Sequence, residues 1–157
     1  SAYEPEIKGV LIAYSSVYGN TQSAAEIVAN RLGEQGVKNI QMYDVSVTHP
    51  SYVVAEAFRY SHIVFATTTY NGGIFVTMEN LLLDLKAHNL QNRTVALIEN
   101  GTWAATAAGQ MKNILSSMKG MNVIANLVTL KSSVKPEKRD ELIALADAIC
   151  ETLKKRY

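Results

Sequence analysis

A single cysteine, Cys150, stands in a chain of 157 residues. It can neither close an internal disulfide nor supply a Cys-x-x-Cys metal clamp, so a reducing, cytoplasmic compartment is expected. Histidine is nearly as scarce. His49, His62 and His88 fall at no His-x-His or His-x-x-x-His spacing, and no metal site is expected within the chain. Neither sign of charge dominates: fifteen basic residues face fourteen acidic ones, a formal net charge of +1. That balance excludes nucleic-acid recognition through a broad basic field, and equally an acidic tail. No unbroken apolar run exceeds five residues, as in 10–14, against the roughly 20 that span a bilayer. No charged-then-apolar leader with a small-residue cleavage site is visible, so no secretory signal is expected. Internal repeats and low-complexity tracts are missing too. One domain over 1–157 is the expectation, with 1–5 a linker or tag remnant. A chain of this size buries roughly 68–70% of its unfolded surface, enough for a core without disulfide or metal.

What is present is an alternation of short β-rich apolar runs with longer segments of helical period. The runs 9–14, 40–45, 62–67, 94–98 and 123–130 read as strands, the last in one piece. The first is continuously apolar rather than alternating, the mark of a parallel strand covered on both faces. Between them, 21–36, a stretch opened by Pro50, 78–88, 104–118 and 136–155 place apolar residues at helical spacing. Gly36 and Gly120 follow two of these as natural stops, and proline suits a first helical turn. Five β/α units in series predict a doubly wound α/β fold, a five-stranded parallel sheet with helices on both faces. In such folds ligands bind beyond the carboxyl ends of the strands, where the strand order reverses. The loops after strands one, three and four therefore matter most.

Ser15-Ser16-Val17-Tyr18-Gly19-Asn20-Thr21 joins a buried strand directly to a helix. Hydroxyls, a glycine and unsatisfied helix-end amides converge there, which suits an anion. Between Lys8 and Arg31 the only charged residue is Glu26, so no local cation neutralises a phosphate. A terminal phosphate fits this chemistry better than a triphosphate, and the Gly-x-x-x-x-Gly-Lys-Ser/Thr loop is absent. The same residues could equally make a plain helix start, with Ser and Thr as caps. The second loop, Thr67-Thr68-Thr69-Tyr70-Asn71-Gly72-Gly73, carries hydroxyls, an amide, two glycines and an aromatic, with no charge from 67 through 78. It can wrap the polar edge of a flat heterocycle while Tyr70 meets its face, or be a simple turn. The third, Asn100-Gly101-Thr102-Trp103, holds the only tryptophan, as suited to a core or rim place as to a cofactor contact.

Other features point elsewhere less well. Asp44 ends strand two, where a dinucleotide enzyme binds ribose, yet no Gly-x-Gly-x-x-Gly precedes it; it reads as a turn carboxylate. The acidic cluster that a response-regulator receiver needs after strand one is replaced by Tyr14-Ser15-Ser16. Cys150 lies on a helix of apolar period and reads as buried and inert. Lys154-Lys155-Arg156 complements the negative end of the last helix.

Together the three loops resemble those of the flavodoxin family. Ser16-Val17-Tyr18-Gly19-Asn20-Thr21 is similar to its phosphate loop, Ser/Thr-x-Ser/Thr-Gly-x-Thr, with Tyr18 in the middle hydroxyl position as in the flavodiiron proteins. Thr68-Thr69-Tyr70-Asn71 is similar to the flavodiiron Pro-Thr-Tyr-Asn, with Thr68 for proline and Val76 near a second position that is often proline. Gly101-Thr102-Trp103 resembles the glycine-then-tryptophan third loop. Over 5–153 the chain most resembles the C-terminal flavodoxin domain of flavodiiron (A-type) flavoproteins.

That resemblance implies strand order 2-1-3-4-5 and FMN at the switch between strands one and three. It implies a phosphate held by Ser16, Tyr18, Thr21 and the backbone around Val17, Gly19 and Asn20. Tyr70 and Trp103 would line the ring, and the 71–73 backbone its N5/O4 edge. Thr68, Thr69, Asn71, Gly72, Asn100, Gly101 and Thr102 complete the candidate cofactor-binding set, with no catalytic residue and no metal ligand. The implied role is an electron-transfer domain, the flavodoxin module of a flavodiiron oxygen or nitric oxide reductase. Rubredoxin or an NADH-dependent reductase would be the donor, and a diiron site outside this chain the acceptor, often across a head-to-tail homodimer. The alternatives are a stand-alone FMN-dependent quinone or flavin reductase and a flavin-free interaction module of the same fold. Stand-alone flavodoxins are generally strongly acidic. Here the net charge is +1 and Glu99 is the only acid beside the ring-side loops, so a less strongly reducing flavin is expected.

Overall fold

The computed structural model of the chain describes residues 4–15, 19–70, 73–101, 106–131 and 133–156. Strand β1 (Ile7–Tyr14) lies inside a parallel sheet, between β2 (Ile40–Asp44) and β3 (Tyr60–Tyr70). Beyond β3 comes β5 (Thr94–Asn100), and along its outer edge two short pieces, β6 (Asn122–Val123) and β7 (Val128–Leu130). The parallel order is therefore β2-β1-β3-β5 with β6 and β7 last, which is the expected 2-1-3-4-5 frame.

Alternation along β1 assigns its side chains to two cores. Val10, Ile12 and Tyr14 pack with α1 (Asn20–Glu34) and α5 (Pro136–Arg156), against Ala24, Val28, Leu32, Leu142 and Leu145. Leu11 and Ala13 face the opposite layer, α2 (Pro50–Arg59), α3 (Val76–Ala87) and α4 (Ala107–Ser116). Both faces are covered, which explains why the strand is apolar without interruption. Gly9 is required by a close approach. A Cβ there would stand 2.5 Å from the Asn39 carbonyl oxygen, whose acceptor takes the Val10 N–H at 2.9 Å. Proline does open α2, and His49 caps it, its Nδ1 accepting the Ser51 N–H at 3.2 Å. Asp44 is the turn carboxylate expected, accepting the Ser46 N–H at 2.9 Å.

Three sequence expectations need correction. The fifth strand is not in one piece. Val95 pairs with Val123 and Ile98 with Val128, so five residues of the edge cover what three cover on β5. The surplus is taken up at 124–127, where the Leu127 N–H turns back to the Ala125 carbonyl at 2.8 Å. Ala125 and Asn126 are exposed at this edge, where no neighbouring strand holds them in register. Next, the second loop is not a plain loop from Thr67 onward. The β-branched Thr67-Thr68-Thr69 continues β3 through Tyr70, and β4 (Gly73–Ile74) folds back antiparallel, pairing Thr69 with Ile74 and Tyr70 with Gly73. Last, α3 begins at Val76, two residues before the expected Met78, its N-cap Phe75 extended. Among the described residues no helix is long and apolar enough to cross a membrane.

Candidate functional site

The chain leaves β1 toward β2 on one side and leaves β3 toward β5 on the other, so the switch point lies between the carboxyl ends of β1 and β3. Tyr14 is in register with Ala66, and Thr68 with Asn100, which brings the ends of β1, β3 and β5 side by side. Directly under the loops a belt of polar side chains crosses the sheet. Ser15, fully buried, donates its N–H to the Ala66 carbonyl at 2.9 Å, and its hydroxyl meets that of Thr67 at 2.6 Å. The Thr68 hydroxyl donates to the Asn100 carbonyl at 3.2 Å, and the Gly101 N–H to the Leu130 carbonyl at 3.0 Å. Each bond ties neighbouring strands, so the three loops spring from a fixed base.

On the phosphate side, Gly19 is the N-cap of α1 at φ 85°, a conformation that glycine adopts without strain. A Cβ at Gly19 would meet no described residue within 4 Å. The first turn of α1 holds no acid, and its N-cap, a glycine, offers no side-chain cap. The first intrahelical acceptor, the Gly19 carbonyl, takes the Ser23 N–H at 2.9 Å, so the amides of Asn20, Thr21 and Gln22 precede the helical ladder. Thr21, in the first turn, is 1% exposed. Nearby, burial and then the charges of Asp44 and Glu26 push the Tyr14 phenol above its ordinary value, keeping it neutral. This end of the sheet is polar yet carries few charges, and it presents donors.

On the ring side, the Thr69 hydroxyl is buried without a hydrogen-bond partner among the described residues, as is that of Thr77 in the first turn of α3. The Ile74 N–H donates to Gln110 Oε1 on α4 at 2.9 Å. Glu99, only 4% exposed, accepts the Ala108 N–H on Oε1 at 3.0 Å and the Thr129 hydroxyl on Oε2 at 2.8 Å. Of the expected set, Gly19, Asn20, Thr21, Thr68, Thr69, Asn100 and Gly101 come together at this end, with the backbone of Tyr70. Ser16, Val17, Tyr18, Asn71, Gly72, Thr102 and Trp103, and the side chain of Tyr70, lie outside the described residues.

Sequence reasoning missed the anchoring by Gln110, because a bond across 36 residues leaves no local pattern. For Glu99 its lone acidity beside a ring-side loop was a signal, though not its two partners. A cavity of about 350 Å³ between Lys8, Val37, Cys150, Leu153 and Lys154 lies at the opposite, amino end of the strands and takes no part in this site.

The residues present fit FMN. The buried Thr69 hydroxyl with no partner among the described residues, the left-handed Gly19 and the acid-free first turn of α1 suit a phosphomonoester joined to a flat heteroaromatic. The fold recurs in known structures. Rubredoxin oxygen:oxidoreductase of Desulfovibrio gigas aligns at TM-score 0.89 and 20% identity, over 96% of this chain and 37% of that one. The Flv1 flavodiiron core of Synechocystis sp. PCC6803 aligns at 0.85 and 16% identity, over 95% and 36%. A flavodoxin from the domain Archaea aligns at 0.80 and 22%, over 93% and 99%. The chain thus spans little more than a third of the first two proteins and nearly all of the third. No curated protein matches it in sequence. Residues 12–154, however, match the flavodoxin family, and the chain belongs to that family, whose members bind FMN.

Proposed function

We propose that this chain binds FMN at the β1/β3 switch point and serves as the electron-transfer module of a flavodiiron-type protein. Bound FMN supplies the redox chemistry; the chain binds it, orients it and sets its electrostatic surroundings. Ser16, Tyr18, Thr21 and the amides around Val17, Gly19 and Asn20 hold the phosphate. Tyr70 and Trp103 line the ring, the backbone of 71–73 meets its polar edge, and Thr68, Thr69, Asn100, Gly101 and Thr102 shape the rim. The observation that carries this is the start of α1 at the switch point: a helix N-terminus with no acid in its first turn, entered through the left-handed Gly19 and holding the buried Thr21. In a partly buried setting such an end favours an anion by about 1 kcal/mol or more without any lysine.

The flavodiiron assignment is supported by Ser16-x-Tyr18-Gly19-x-Thr21, Tyr70-Asn71 and Trp103, and by alignment with two flavodiiron proteins over 95–96% of the chain. On this reading the donor is rubredoxin or an NADH-dependent reductase, the acceptor is a diiron domain on another part of the protein, the working unit is a homodimer, and the compartment is cytoplasmic. A second reading, a stand-alone flavodoxin, is favoured by the chain spanning 99% of the archaeal flavodoxin. Stopped-flow reduction of the FMN-loaded chain separates the two. Fast reduction by reduced rubredoxin and slow reduction by a ferredoxin reductase supports the flavodiiron role; the reverse supports the stand-alone carrier.

A further inference from the structure

We propose that Glu99 and Gln110 are positioning residues that hang both ring-side loops on the first turns of α4, so that flavin binding depends on them; the proposal rests on the FMN reading above. Glu99 is buried in β5 one residue before the strand ends at Asn100, and the third loop lies in sequence between that end and the start of α4 at Ala107. One Glu99 oxygen accepts the Ala108 N–H at 3.0 Å, on the far side of that loop. The other accepts the Thr129 hydroxyl at 2.8 Å, on β7. A single carboxyl group therefore ties the two ends of the third loop to each other and to the next strand.

Thr106, the N-cap of α4, makes no side-chain cap, so Glu99 does that work from outside the helix. Within the same helix, Gln110 Oε1 accepts the Ile74 N–H at 2.9 Å, fixing the strand that closes the second loop. The Thr68 hydroxyl, donating to the Asn100 carbonyl at 3.2 Å, completes a circuit from second loop to third.

The contrast with α1 is informative. Burying a carboxylate is costly, and an apolar residue would pack a core at less expense. The N-terminus of α4 is nevertheless satisfied by a buried acid, while that of α1 has none. The two helices begin at the same end of the sheet. The first turn of α1 carries no acid that would repel an anion, whereas an α4 amide is tied by Glu99 to β5.

The test uses the full chain with FMN as probe, in wild type and the variants E99A, E99Q, Q110A and T129V. Three quantities are read: the FMN dissociation constant, the visible circular dichroism of bound FMN, and the urea midpoint of the FMN-free chain. E99A is expected to weaken FMN about tenfold and to change the flavin dichroism, the result of leaving buried donors unanswered. E99Q, whose amide oxygen still accepts the Ala108 N–H and whose NH₂ can donate to Thr129, is expected to stay within about threefold of wild type. Q110A and T129V fall between, and they carry the test if E99A does not fold. Folded E99A with wild-type affinity and dichroism overturns the proposal, and so does E99Q binding as weakly as E99A. Wild type that binds no FMN overturns the flavin reading itself, and this proposal with it.

Discussion

Gly19 and Thr21 decide how the phosphate side works. A Cβ at Gly19 meets no described residue within 4 Å, so what G19A imposes is alanine at φ 85°. Its expected effect is a loss of roughly 1–2 kcal/mol in urea-measured stability, the ordinary cost of the left-handed region. A loss above about 4 kcal/mol would mean that packing, not backbone, is at stake. T21V keeps the shape of a residue that is 1% exposed and removes only its hydroxyl. It should weaken FMN about tenfold, read by fluorescence titration. Wild-type affinity in T21V would take Thr21 out of the phosphate set. Residue types at these positions were legible in the sequence because a strand-to-helix junction has a local composition. Partners were not. The Ser15–Thr67 and Gln110–Ile74 contacts join segments 52 and 36 residues apart, and nothing in either segment announces the other.

At the scale of elements, α1 and α5 pack on one face of the sheet and are bridged by Arg31, whose Nε reaches Asp147 Oδ1 at 2.8 Å and Nη2 reaches Oδ2 at 3.3 Å. The Arg31 hydrogen bonds, followed by its charge, hold the Asp147 carboxyl below its ordinary value despite partial burial. The resulting stabilisation is present above the unfolded value, near pH 4, and is lost as pH falls through the lower folded one. D147N should therefore narrow the gap between urea midpoints at pH 7 and pH 3; an unchanged gap would assign the acid sensitivity elsewhere. Leu145, fully buried on α5, faces the same core, and L145A is expected to cost about 2–5 kcal/mol in the same urea assay. Helices with a clear apolar stripe, such as α2 from Pro50, were legible from the sequence. The break in the fifth strand was not. Val123, Ile124, Leu127 and Val128 look like one strand, and only the count against β5 reveals two surplus residues.

For the whole molecule, the order β2-β1-β3-β5 places a switch point where the three loops start, and that architecture followed from five β/α units in series. Strand order itself came only with the family resemblance, since periodicity carries no information on neighbours. The net charge of +1 gives the flavin little repulsion on reduction. Potentiometric titration should yield a less negative lower potential than strongly acidic flavodoxins have. A value as negative as theirs would assign the tuning to local dipoles rather than net charge. The measurement that bears most directly on the phosphate site is calorimetric titration of the full chain with FMN and, in parallel, with riboflavin. The expected result is one FMN per chain, bound at least about a hundredfold tighter than riboflavin, because amides and hydroxyls at a helix start recognise the phosphate. Equal affinity for the two, or no binding of either, would contradict a phosphate site at the start of α1.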